Sequence, residues 1–116
     1  GEILKSIRIP KEWAGAKFYF EKVTDRGVWD FALVSVAAAM HLDGDTIRKI
    51  RVVCGAVECI PRRLKAVEEA VTGSAKNAET AILAGKTAAQ GATPLNFNHF
   101  KIPLMENLVR RAIRDS

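Results

Sequence analysis

Two long apolar runs separated by Asp43-Gly44-Asp45 constrain this chain more than any other feature. In the first, Val34, Val36, Ala38, Met40 and Leu42 alternate with Ser35, Ala37, Ala39 and His41; in the second, Ile47, Ile50, Val52, Cys54 and Val57 resume the apolar run. Alternation of period two sends successive side chains to opposite faces, so the first run reads as a strand with one buried face, and the second as its partner. Asp-Gly supplies the positive φ that a tight turn needs, and the two runs fold back as an antiparallel hairpin. The second run carries Arg48, Lys49 and Arg51 early and turns apolar from Val52, which sends its far end into the middle of a sheet. Gly55 lets a neighbour pack close against it.

Before the hairpin, Ile3, Lys5, Ile7 and Ile9 share one face of the segment Glu2 to Pro10, with Leu4, Ser6 and Arg8 on the other. This predicts a first strand ended by Pro10. Lys11 to Arg26 is mixed, since Phe18 and Phe20 alternate as on a strand while Ala14 and Phe18 are spaced as on a helix; it reads as a short helix or turn. Everything after Pro61 reads as helix. Pro61 suits a first helical position, Leu64, Val67 and Val71 line one face, and Gly73 caps the end. A second helix over Lys76 to Gln90 turns Ala78, Ala81, Ile82, Ala88 and Ala89 inward, although Gly85 weakens it. A third starts near Pro103 and sets Met105, Leu108, Val109, Ala112 and Ile113 at i, i+3, i+4, i+7 and i+8, the strongest periodicity in the chain. Strands first and helices later predict an α+β fold: an antiparallel sheet of three to four strands packed on one face by about three helices.

At 116 residues the chain makes one domain, residues 1–116, with room for one core. No apolar run reaches the ~18 residues of a membrane span. Two cysteines are too few for a disulfide scaffold and the start does not read as a signal peptide, which predicts a reducing, cytoplasmic compartment. The chain enters an alternating segment directly at Gly1, whereas chain ends are usually loose, so the expectation is a piece of a longer protein. The formal charge of +5 attracts polyanions. Arg48-Lys49-Ile50-Arg51, Arg62-Arg63-Leu64-Lys65 and Arg110-Arg111 form either a phosphate-binding footprint or solvated faces. Arg110, Arg111 and Arg114 lie near a helix end where the dipole favours cations. Arg62 and Arg63 fall in a first turn, where it opposes them, and this points to an acidic partner surface. No aromatic platform or helix-turn-helix accompanies the charge, so nucleic acid is not the expected partner.

Few catalytic constellations survive inspection. Cys54 and Cys59 with the distant His41 and His99 lack the paired spacings of a zinc site, and the cysteines read as small buried hydrophobes. His41 reads as a strand-end surface residue and His99 as a loop residue, neither with a nucleophile or carboxylate beside it in sequence. No P-loop, G-x-S-x-G or G-x-G-x-x-G is present, and neither a catalytic residue nor a metal ligand is assigned. Lys22 to Phe31 differs from the rest: two bases and two acids flank Gly27 and Trp29 in a loop entering a core strand. Such a loop either binds something or uses Trp29 and Phe31 to plug the sheet edge while Arg26 and Asp30 pair.

Glu2-Ile3-Leu4 leading to Ile9-Pro10, Lys22 with Arg26, Trp29-Asp30-Phe31-Ala32-Leu33-Val34-Ser35-Val36-Ala37, Gly55-Ala56-Val57, Pro61-Arg62-Arg63 and Leu108-Val109-Arg110-Arg111-Ala112 occur in that order. This ordered set resembles the C-terminal domain of the FAD-binding subunit of the molybdenum hydroxylases, the family of carbon monoxide dehydrogenase, xanthine dehydrogenase and the aldehyde oxidases. The resemblance implies a sandwich domain of an oxidoreductase that is not catalytic alone. In such enzymes a molybdenum-cofactor site oxidises the substrate, electrons cross 2Fe–2S clusters, and FAD delivers them to NAD or another acceptor. It further implies upstream domains of the same chain that hold the FAD pyrophosphate, and partner subunits carrying the molybdenum cofactor and the iron–sulfur clusters. Two positions match residues that touch the flavin: Leu4, as an apolar contact to the ring, and Lys22, as a hydrogen-bond donor to a ring carbonyl. Arg26, Trp29 and Asp30 are second-rank candidates at the ring edge where an acceptor approaches. The competing expectation is a stand-alone interaction or assembly module that meets no flavin, with a polyanion binder third.

Overall fold

A computed structural model describes all 116 residues, Gly1–Ser116. The hairpin forms as its turn dictates. Strands β2 (Val34–Asp43) and β3 (Thr46–Gly55) pair antiparallel, and Gly44 takes φ 56°, a left-handed conformation that glycine adopts without steric cost. Strand β1 (Lys17–Val23) adds to the free edge of β2, and the two-residue β4 (Arg62–Arg63) to that of β3, giving a four-stranded antiparallel sheet in the order β1-β2-β3-β4.

Three helices cover one face: α1 (Lys65–Val71) lies against β3, α3 (Lys101–Arg114) crosses β1 and β2, and α2 (Ala78–Ala89) packs on both of its fellow helices. The core sits in this layer. Val34, Val36, Ala38 and Met40 from β2 and Ile50, Val52 and Cys54 from β3 meet Val67, Val71, Leu108, Val109 and Ile113. At the far end of the hairpin, Ser35 Oγ would lie 2.5 Å from a Cβ on Gly55, so the neighbour that packs close against the glycine is the Ser35 side chain.

Four expectations need correction. Residues 2–10 are not a strand: they form no ladder, and Ile3, Leu4, Ile7 and Ile9 are exposed. Alternation makes a segment fit for a sheet but does not supply a partner, and the edge of β2 is taken by β1. Lys11 to Arg26 is not a short helix; after a single 3-10 turn at Lys11–Trp13 it becomes β1, with Tyr19, Glu21 and Val23 facing inward and Phe18 and Phe20 outward. Pro61 does not open a helix. The chain runs on as β4, Leu64 donates its amide to the Val52 carbonyl (2.9 Å), and helix α1 starts only at Lys65. Hence Arg62 and Arg63 never meet a helix dipole: Arg62 pairs with Glu58 and Arg63 with Glu68. Finally, α2 is rotated from the expected face, burying Thr80, Ala81, Ala84, Gly85 and Ala88 while Ala78 and Ile82 point outward.

That rotation gives Gly85 a purpose. A Cβ there would stand 2.7 Å from the Glu106 carbonyl oxygen of α3, which is backbone and cannot swing away. Gly85→Ala therefore opposes a helix-propensity gain of about 1 kcal/mol with forced separation of α2 and α3. Overpacking of this kind costs about 1–3 kcal/mol, so denaturant unfolding is expected to show net destabilisation, whereas an exposed glycine in a helix would show the reverse.

Candidate functional site

The segment joining β1 to β2 is a built loop. Its base closes where Leu33 donates its amide to the Val23 carbonyl (2.7 Å). Above that, Asp30 is the hub: its Oδ2 accepts the amides of Asp25 (3.0 Å) and Arg26 (2.9 Å), and its Oδ1 accepts the amide of Phe31 (3.0 Å). The Arg26 amide is the main reason the Asp30 carboxyl is held below its ordinary value; partial desolvation opposes this, and the Asp25 and Phe31 amides and the Lys22 charge add to it. The Asp30 carbonyl in turn accepts Lys22 Nζ (2.7 Å). Arg26 donates through Nη2 to the Trp29 carbonyl (2.8 Å) and sits 3.8 Å from Asp30 Oδ1, and Thr24 Oγ1 donates to the Arg26 carbonyl (2.6 Å).

Held this way, the loop displays its apolar side chains outward. Trp29 takes φ 55°, unusual for a bulky residue, and is 94% exposed; Phe31 is 93% exposed. The reading in which Trp29 and Phe31 plug the sheet edge while Arg26 and Asp30 pair is met only in half: the pair exists, but both aromatics face solvent. Lys22, Arg26, Trp29 and Asp30 are thus brought into one hydrogen-bonded unit. Leu4 is placed apart, on the irregular N-terminal segment and 79% exposed.

Nothing on the remaining candidates assembles a reactive centre. Cys54 is in the core, where burial pushes its thiol up to about 11, which suits packing rather than nucleophilic chemistry. Cys59 is exposed in the loop before β4, so the buried-hydrophobe reading holds for Cys54 alone. His41 stacks on Trp13 (5.5 Å between ring centres) and hydrogen-bonds the Glu12 carbonyl through Nε2 (2.8 Å), while His99 is exposed. No three His, Cys, Asp or Glu side chains converge as a metal site. The basic stretches are largely neutralised from within: Arg51 and Arg63 on Glu68, Arg111 on Glu21, and Lys49 on Glu12 with its ammonium over the Trp13 ring.

Two features escaped the sequence reading. Glu68 is a buried carboxylate that joins α1 to the sheet; its one signal is an acid four residues after Leu64 on the apolar helix face. The second is a shallow apolar groove of about 490 Å³ on the sheet face opposite the helices, lined by Phe18, Phe20, Ala37, Ala39 and Val53. Its signal is the presence of alanines and phenylalanines where a solvent-facing strand side would carry polar groups.

Residues 18–116 match the family described as the CO dehydrogenase flavoprotein C-terminal domain. The aldehyde oxidoreductase FAD-binding subunit PaoB of Escherichia coli is 29% identical over 116 residues, all of this chain and 33% of that subunit. Carbon monoxide dehydrogenase of Hydrogenophaga pseudoflava, in a form lacking the Mo-pyranopterin moiety, superposes with a TM-score of 0.78 at 26% identity, over 86% of this chain and 36% of that one. Quinoline 2-oxidoreductase of Pseudomonas putida superposes with a TM-score of 0.79 at 23% identity, over 87% and 36%, which is a likeness of fold. The chain thus spans about a third of the length of the relatives it matches. With the α+β layering, the strand order and the sequence match in agreement, the chain belongs to the CO dehydrogenase flavoprotein C-terminal domain family.

Proposed function

We propose that this domain closes one side of an FAD site in a molybdenum-containing oxidoreductase, with Lys22 and Leu4 toward the isoalloxazine and the Val23–Phe31 loop beside the edge that an electron acceptor reaches. The observation that carries this reading is the Lys22 loop: it lies wholly inside the family match and holds an ammonium and three apolar side chains at the surface with no partner in the core. The residues fit a lid rather than a complete cradle. Lys22 uses one N–H on the Asp30 carbonyl and keeps two for a ring carbonyl. Leu4, just outside the matched residues, offers an apolar face, and no glycine-rich phosphate loop occurs in the chain. When bound, the flavin supplies electron exchange between the metal centres and an acceptor. Lys22 adds a fixed positive charge beside the ring, which favours its electron-rich reduced form.

The partners of this reading are the FAD-holding remainder of the subunit and the subunits carrying the molybdenum cofactor and iron–sulfur clusters. The surface supports a domain made to be covered. The chain exposes 8171 Å², against about 6,200 Å² for a folded monomer of its mass. Exposed apolar side chains stand in the N-terminal segment, at the loop tip and on the groove over Phe18 and Phe20. The same surface favours the competing reading of an interaction module that meets no flavin. No helix is long and apolar enough to cross a membrane.

Lys22→Ala in the FAD-loaded parent subunit separates the two. Loss of one charge-assisted hydrogen bond weakens FAD binding by roughly tenfold and lowers the flavin midpoint potential. Titration and spectroelectrochemistry measure both, and an unchanged affinity together with an unchanged potential would remove Lys22 from the flavin site and favour the interaction module.

A further inference from the structure

We infer that Asp30 is a positioning residue whose carboxylate, turned into its own loop, seats the ammonium of Lys22. The geometry divides Asp30 between two tasks. Its two carboxylate oxygens accept three backbone amides from both sides of the loop, drawing Asp25 and Arg26 against Phe31. Its backbone carbonyl, fixed by that closure, accepts Lys22 Nζ at 2.7 Å. A lysine has four side-chain torsions and no geometric preference at its head, so an ammonium at a strand end stays in place only if something holds it. The carbonyl does so here, and the carboxylate holds the carbonyl. A carboxylate occupied by three amides has little capacity left for a ligand, so this role differs from direct contact with a flavin.

An asparagine at this position can offer one accepting oxygen but not two. Asp30→Asn should therefore keep part of the closure, and Asp30→Ala should lose it. Neither touches the core, so far-UV circular dichroism should not change, and the loss of the loop's hydrogen bonds should lower Tm by only about a few degrees.

The first arm of the test needs no flavin. In the 116-residue chain, NMR relaxation of the Lys22 ζ-ammonium should show a head group more ordered than those of the other exposed lysines, which becomes averaged in Asp30→Ala and partly recovers in Asp30→Asn. Exchange of the Asp25 and Arg26 amides should rise roughly tenfold or more in Asp30→Ala as local opening becomes easier. An ammonium signal unchanged by Asp30→Ala overturns the inference.

The second arm rests on the flavin reading of Lys22 and uses the FAD-loaded parent subunit. Asp30→Ala should shift the flavin potential in the same direction as Lys22→Ala, and the double variant should shift it no further than Lys22→Ala alone. A potential moved by Lys22→Ala but untouched by Asp30→Ala also overturns it. If Lys22→Ala itself moves nothing, the flavin reading fails, and the positioning role is decided by the first arm.

Discussion

Replacing Glu68 with alanine is expected to remove about 3 kcal/mol of folding stability. Glu68 is 5% exposed, and its Oε1 accepts the amide of Val52, a fully buried residue of the central strand. An orphaned buried amide costs about 1–3 kcal/mol. The same carboxylate takes Arg63 through Nε (2.9 Å) and Nη2 (2.7 Å) and Arg51 through Nη1 (3.2 Å). Both arginine side chains are 41% exposed, so they can turn to water, and losing their partner adds only about 1 kcal/mol rather than the larger cost of a fully buried pair. Glu68→Gln, which keeps an acceptor for Val52 but no charge, should lose about 1–2 kcal/mol.

The same site makes a pH prediction. Burial acts to raise the Glu68 carboxyl, but the Arg63 hydrogen bonds, the Val52 amide and the charges of Arg63 and Arg51 outweigh it and hold the group below its ordinary 4.5. A carboxylate depressed in the folded state contributes its stabilisation above the unfolded pKa and loses it as the pH falls through the folded one. The gap between wild type and Glu68→Gln should thus be constant from neutrality down to about pH 5 and shrink below it. Denaturant midpoints at stepped pH measure this, and a gap that persists unchanged into acid would show that the charge contributes nothing.

Glu68 also shows where the sequence stops being informative. The β2–β3 hairpin and α3 were legible because their signals are local: an Asp-Gly turn between alternating runs, and five apolar residues on one helical stripe. Pairing is not local. Glu2 to Pro10 carries as good an alternation as β1 does, but whether a segment joins a sheet depends on a free edge. Helix α2 misled for a different reason: alanine is indifferent to burial, so Ala78 and Ala84 look alike until α3 takes a side, and Gly85 marked that side. In the loop, the Arg26–Asp30 spacing suggested a pair, and the pair exists, but the amides that Asp30 gathers are backbone groups and leave no trace in side-chain identity. The outward aromatics were ambiguous for the same reason, since a tryptophan that plugs an edge and one on display read identically.

Leu108→Ala should be the most destabilising substitution in the helical layer, at about 2–5 kcal/mol. Leu108 is fully buried on α3, the helix that bridges the sheet at β1 and β2 to α2. Its removal cannot be met by collapse from one side. Toward the sheet the wall is β2, pinned between β1 and β3 by its ladders; toward α2 it is the Gly85 contact, where the backbones already touch. A site whose walls cannot close keeps its cavity, and the cost then lies in the upper part of the range, because residual cavity volume adds to the lost transfer free energy. Arg110→Ala, two positions on and exposed on the same helix, leaves helix propensity nearly unchanged and should cost under about 0.5 kcal/mol. Paired denaturant unfolding of the two variants tests the layer. If Leu108→Ala lost no more than Arg110→Ala, α3 would not be clamped between sheet and α2, and the reading of Gly85 as a fixed close approach would fall with it.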